Sequence, residues 1–171
     1  MIIAIFTEGT ILMHKTGLDV ENRADIVAQV KSKDASVHKY ADYVPIVGAV
    51  DKINFWANQG AEIYYITSRE DFGEIQDILN VLNKFKFPQT HHLLFRTEGN
   101  SYTDVVEELL PDVLIEDDCE SMGVDSEIIY PTISEPIRKR IKSWVVPEFS
   151  GINELPNRIK ELALPVIINH E

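Results

Sequence analysis

Short β-branched runs alternate with amphipathic stretches that end at Gly or Pro, and few architectures accept that order. Residues 2–6, IIAIF, read as a buried strand followed by a Gly turn. In PIVGAVDKINFWANQG, Val50, Ile53, Trp56 and Ala57 share one helical face, and Gly60 stands where a left-handed residue ends a helix. AEIYYITS is a second strand, with Ser68 or Asp71 available to cap the helix expected over 71–86, whose Phe72, Ile75, Ile78, Leu79, Leu82 and Phe85 recur at helical spacing. HHLLF predicts a third strand. Ser101 opens a helix with Val105, Val106, Leu109 and Leu110 inward, stopped by Pro111. DVLIE predicts a fourth strand and EIIYP a fifth, followed by a basic helix over 134–143, an extended VVPEF and a short helix over 156–163. Strand–helix–strand order with short links requires right-handed parallel crossovers. The expected fold is therefore a three-layer α/β/α sandwich around a parallel sheet, Rossmann-like, in one domain over 1–171. Residues 18–42 form a small helical excursion or flap with Ile26, Val27 and Val30 in weak helical spacing, and 134–171 a C-terminal extension packed on the core.

Charge narrows the partners. A formal charge of −12 repels polyanions, which argues against nucleic acid and anionic membranes but leaves room for a small phosphorylated ligand in a cleft. The single cysteine, Cys119, excludes an internal disulfide framework and suits a reducing cytoplasm. No apolar run approaches the ~20 residues that span a bilayer, and the first residues read as a strand rather than a leader. The basic run Arg138, Lys139, Arg140 and Lys142 is either a solvated face or a docking surface for an acidic partner, such as a second copy of the chain.

In parallel sheets ligands bind beyond the carboxyl ends of the strands. Here the first strand delivers Thr7, Glu8, Gly9 and Thr10. The second delivers Thr67, Ser68 and Arg69, the third Arg96, and the fourth Glu116, Asp117 and Asp118. Grouped acids can hold Mg²⁺, a hard cation that prefers oxygen. Hydroxyls and the amides of a Gly turn can receive phosphate oxygens, and arginines can clamp them. Each has a plainer reading: Thr67 and Ser68 as helix caps, Asp117 and Asp118 as turn caps, and Arg69 and Arg96 as neutralisers of an acidic edge. Cys119 directly follows the acids, which disfavours its thiolate. His14, His91 and His92 show no metal-ligand spacing.

These positions carry a resemblance. Glu8-Gly9-Thr10, Thr67 in ITSR, and Glu116-Asp117-Asp118 in VLIEDD resemble, in order, motifs of the haloacid dehalogenase (HAD) superfamily. That family's first strand ends Asp-x-Asp-Gly-Thr; its second motif is Ser or Thr, its third Lys or Arg, and its fourth an acidic pair. The resemblance spans residues 2–118 and implies a HAD-like fold with little or no cap and a Mg²⁺-assisted phosphohydrolase site. In that frame Glu8, Thr67 and Asp117 fall at catalytic positions. Thr7, Gly9, Thr10, Ser68, Arg69 and Arg96 line the phosphate, and Glu8, Glu116, Asp117 and Asp118 are the candidate metal ligands.

Departures from the pattern matter as much. The family's nucleophilic Asp falls at Phe6, which has no lone pair, so no aspartyl-phosphate can form there. Losing a covalent nucleophile costs about 10⁶ in rate, roughly 8 kcal/mol. The second Asp is Glu8, one methylene longer. The basic residue's position is occupied by Tyr102, with Arg96 the nearest upstream cation. Two expectations follow: a weak or non-standard hydrolase of a phosphorylated small molecule, with Glu8 as base, or a non-catalytic ligand-binding or regulatory module. A receiver-like domain phosphorylated on Asp117 or Asp118 is disfavoured, because receivers carry their acid pair after the first strand. In the family, small caps accompany open sites or a neighbouring subunit acting as lid, so a homo-oligomer is a further expectation.

Overall fold

The computed structural model describes residues 1–123 and 127–164. Five parallel strands form one sheet in the order β5-β4-β1-β6-β7. They are β1 Ile2–Phe6, β4 Glu62–Ile66, β5 Leu93–Leu94, β6 Val113–Asp117 and β7 Lys142–Val146. The central pairings run Ile3↔Ile63 and Ile3↔Val113, so the ends of β1, β4 and β6 arrive together at one edge.

Alternation along each strand splits the apolar side chains between two faces. Ile3, Ile5, Ile63, Tyr65, Val113 and Ile115 pack on one face against α2 (Ala49–Asn58) and α3 (Phe72–Lys84). Ala4, Ile66 and Leu114 pack on the other against Val106 of α4 (Tyr102–Leu109), with Ile133 and Ile141. Helices thus cover both faces of a buried parallel sheet, the expected α/β/α arrangement.

Helix ends obey their local signals. Ser101 and Asp104 form a capping box for α4, the Asp71 carboxylate accepts from Gly73 N and Glu74 N, and Gly60 follows α2 at φ +93°. Leu110, expected inward, ends α4 in a left-handed conformation and is exposed, as is Phe72 at the first turn of α3. Both lie at helix ends, where the core-facing stripe has already rotated away.

EIIYP is not a strand. Its Tyr130 begins a 3₁₀ turn, Tyr130–Thr132, because the buried Glu116 carboxylate binds the amides of Ile129 and Tyr130. The fifth strand is instead β7, and the basic helix shrinks to α5, Glu135–Arg138. Arg138 donates to Pro131 O, Lys139 pairs with Glu135, and Lys142 lies over the Trp144 ring.

The excursion leaves β2 (Leu12–Met13) and returns through β3 (Val44–Pro45), which pair antiparallel. Between them lie 3₁₀ turns at Lys15–Asp19 and Tyr40–Asp42 and the helix α1, Arg23–Lys31. At the other end of the chain, buried Lys52 donates to Leu155 O and Asn157 Oδ1, Trp56 Nε1 to Pro156 O, and Trp144 Nε1 to Leu162 O. These bonds fasten the segment leading to α6 (Ile159–Leu162) against α2 and β7. Residues 165–171 of the expected extension lie outside the described residues.

Candidate functional site

The turn after β1 is set by backbone bonds. Ile11 N and Leu12 N both donate to Thr7 O, and Gly9 N to Leu12 O. Gly9 has φ +82°, and a Cβ there would lie 2.7 Å from Asp117 Oδ2. Only glycine allows both the turn and the approach of β6. Thr10 Oγ1 then donates to Asp117 Oδ2 at 2.9 Å.

Glu8 points the other way, toward β4. Its Oε1 accepts from Thr67 Oγ1 at 2.6 Å and lies 3.2 Å from Arg69 Nε. Its Oε2 accepts from Thr7 Oγ1 at 2.5 Å and Ser68 N at 3.2 Å. Arg69 is itself held: Nη2 donates to Ser68 Oγ at 2.8 Å, Nη1 to the Tyr40 hydroxyl, and the guanidinium lies 4.5 Å from the Tyr40 ring centre. Burial, the largest single effect, lowers the Arg69 pKa, but Glu8 together with Tyr40, Tyr43 and Glu74 outweighs it and the pKa rises. Tyr40, brought over the site by the excursion, was not visible from sequence spacing.

Phe6 sits at the last position of β1, edge-on to Tyr102 at 5.9 Å between ring centres. Two of the three positions that depart from the resembled pattern, Phe6 and Tyr102, therefore touch one another. Arg96 lies 5.1 Å from the Tyr102 ring centre and pairs with Glu70, outside the Glu8 cluster.

The acids after β6 separate. Glu116 and Asp117 are neighbours on a strand and so leave opposite faces. Glu116 caps Ile129 and Tyr130 as above. Burial, only partly countered by those amides, pushes its pKa up to about 7. Asp117 accepts from Cys119 N at 2.9 Å as well as from Thr10, and burial raises its pKa too. Asp118 Oδ1 accepts from Glu148 N at 2.9 Å and Glu120 N at 3.3 Å. Glu148, after β7, binds Ser121 N and Oγ at 2.6 and 2.7 Å, and burial raises its pKa. An acid directly after VVP was its sequence signal, masked by the misplaced fifth strand. Burial and then the Asp117 charge raise the Cys119 thiol pKa, in line with the expected inert thiol.

The expected metal ligands Glu8, Glu116, Asp117 and Asp118 each turn to a different partner. Among the described residues no three His, Cys, Asp or Glu side chains converge to hold an ion. Glu8 is turned to a guanidinium, Asp117 to Thr10 and Cys119, Glu116 to the α4 side, and Asp118 to the Glu148 amide. The residues present do not fit Mg²⁺, which needs several oxygens on one point. His14 is buried with Nε2 2.7 Å from Gln29 Oε1 and its ring against Phe149, away from those acids' hydrogen bonds.

Sheet order, turn and strand-end placement define a HAD-like α/β/α fold. The chain is similar in structure to the class C acid phosphatase from Bacillus anthracis with tungstate bound, with TM-score 0.54, 16% identity, and 87% of this chain and 67% of that one covered. It is also similar to a HAD hydrolase of family IA, variant 3, from Entamoeba histolytica, with TM-score 0.52, 10% identity, and coverage of 94% and 96%. At these identities the likeness is one of fold. No protein-family model and no curated protein matches the chain. No helix among the described residues is long and apolar enough to cross a membrane.

Proposed function

We propose that this protein is a non-catalytic ligand-binding module on a phosphohydrolase-type fold, recognising an oxyanion-bearing small molecule, such as a phosphorylated metabolite, without turning it over. The observation that supports this reading is the Phe6–Tyr102 contact, made by two aromatic rings at the positions where the resembled pattern carries a nucleophile and a cation. Covalent phosphoryl transfer has no acceptor atom there.

The hydrolytic reading needs Glu8 as a base for water. A base must be free to take a proton. Both Glu8 oxygens are instead engaged by two hydroxyls, an amide and a guanidinium. Thr7 is no substitute, since it is wholly buried and its Oγ1 lies between Glu8 Oε2 and Ile66 O.

The test is a panel of phosphate monoesters assayed with and without Mg²⁺. No turnover is expected from the wild type, nor from Phe6→Asp, because a carboxylate at position 6 would meet Tyr102 rather than a metal cluster. Turnover by the wild type that disappears in Glu8→Gln would overturn the reading.

A further inference from the structure

We propose that Thr67, Ser68 and Arg69, with Thr7 beside them, form an oxyanion site that the protein fills with its own Glu8 carboxylate. This rests on the reading of the chain as a ligand-binding module and adds how access to the site is controlled.

The donors are those that recognise a phosphate or carboxylate: two hydroxyls, one backbone amide and one guanidinium, converging on one pair of oxygens. They are held in place without Glu8. Thr67 Oγ1 also accepts from Arg69 N at 3.2 Å, and Arg69 is anchored by Ser68 Oγ and by the ring and hydroxyl of buried Tyr40. A side chain fixed by three partners keeps its direction when a fourth departs.

The carboxylate completes this site imperfectly. Arg69 Nε is buried and makes no hydrogen bond, although Glu8 Oε1 is only 3.2 Å away, because the N–H is not aligned with it. One strong donor therefore remains unused, and a tetrahedral oxyanion offers more acceptor directions than a planar carboxylate. Reach explains why the occupant is Glu rather than Asp. The extra methylene carries the carboxylate from the β1 turn across to the residues after β4, while Thr10 on the same turn bonds Asp117 in the opposite direction.

An outside anion must displace an attached competitor. If Glu8 fills the site 99% of the time, apparent affinity falls about a hundredfold. The side chains of Glu8 and Arg69 retain 13% and 24% exposure, so the exchange takes place at the edge of the sheet rather than inside the core.

The test uses the full chain and inorganic phosphate, followed by calorimetric titration and by thermal unfolding, with chloride at matched ionic strength as control. In the wild type, phosphate is expected to bind without saturation and to leave Tm unchanged. Glu8→Ala should melt lower in chloride, recover on adding phosphate, and bind phosphate at least about tenfold more tightly. Glu8→Ala/Arg69→Ala should lose that gain. Glu8→Asp, which withdraws the carboxylate by one methylene, should bind with intermediate affinity and serves if Glu8→Ala does not fold. Equal phosphate responses in wild type and variants would overturn self-occupancy. A folded Glu8→Ala that ignores phosphate would show that the donors form no oxyanion site. Neither result involves turnover, which alone decides the non-catalytic reading.

Discussion

At the β1–β4 end of the sheet one carboxylate, Glu8, is half-buried with a guanidinium against it, whereas at the β6–β7 end Glu116, Asp117 and Glu148 are buried without an ion pair among the described residues. The first end uses a counter-charge. The second relies on hydrogen bonds from Thr10, Ser121 and the amides of Cys119, Ser121, Ile129 and Tyr130. Amides and hydroxyls lower a carboxylate's pKa but do not fully offset desolvation, so the second group titrates high. The fold thus keeps one end charged and balanced, and stores protonation free energy at the other.

Breaking the balanced end should have the largest effect. Arg69→Ala leaves Glu8 without its counter-charge and removes the stacking on Tyr40. A loss of about 3 kcal/mol is expected in urea unfolding, because a partly buried charge is left uncompensated. A loss below about 1 kcal/mol would mean that the hydroxyls and the Ser68 amide suffice alone, and the contrast between the two ends would collapse.

The unbalanced end should show itself through pH. Glu116 has a folded pKa of about 7 against an ordinary 4.5, with burial the main cause. Near pH 4 the group is largely protonated in both states and costs little. As pH rises from there through 7 the unfolded chain ionises first, so stability falls, by up to about 3 kcal/mol from this group. Asp117 and Glu148 are raised as well and act in the same direction. Denaturant unfolding from pH 5 to 8 should therefore show declining stability, with Glu116→Gln flattening most of the slope. High salt separates this from general repulsion in a chain of charge −12, because screening reaches surface charges and not a buried carboxylate. A slope that salt abolishes would assign it to the surface.

Much of this was legible in the residues. β1, β4 and β6 and the helices between them follow from period and punctuation. What escaped was decided by tertiary contact. The run EIIYP has strand propensity, but the amides of Ile129 and Tyr130 go to a buried Glu116, and a ladder cannot use them as well. Adjacent acids in VLIEDD look like one metal-binding group, yet a period of two sends Glu116 and Asp117 to opposite faces. Phe6 and Tyr102, and Tyr40 and Arg69, are too distant in sequence for local spacing to announce their contacts.

The smallest effect comes from making the same change at both ends. Among the described residues, Thr10→Val removes the only side-chain hydroxyl bound to Asp117, and Thr67→Val removes one of two bound to Glu8. Each variant deletes one hydrogen bond to a carboxylate at nearly constant volume. With equal surroundings the costs would be equal. Glu8 retains Thr7, the Ser68 amide and Arg69, so Thr67→Val should cost about 1 kcal/mol. Asp117 retains chiefly the Cys119 amide, so Thr10→Val should cost about 2 kcal/mol. Because the lost donor also held the Asp117 pKa down, Thr10→Val should raise it further and steepen the fall in stability with pH, whereas Thr67→Val should leave that profile unchanged. Equal costs with parallel pH profiles would mean that the Arg69 counter-charge gives Glu8 no protection that hydrogen bonds alone do not.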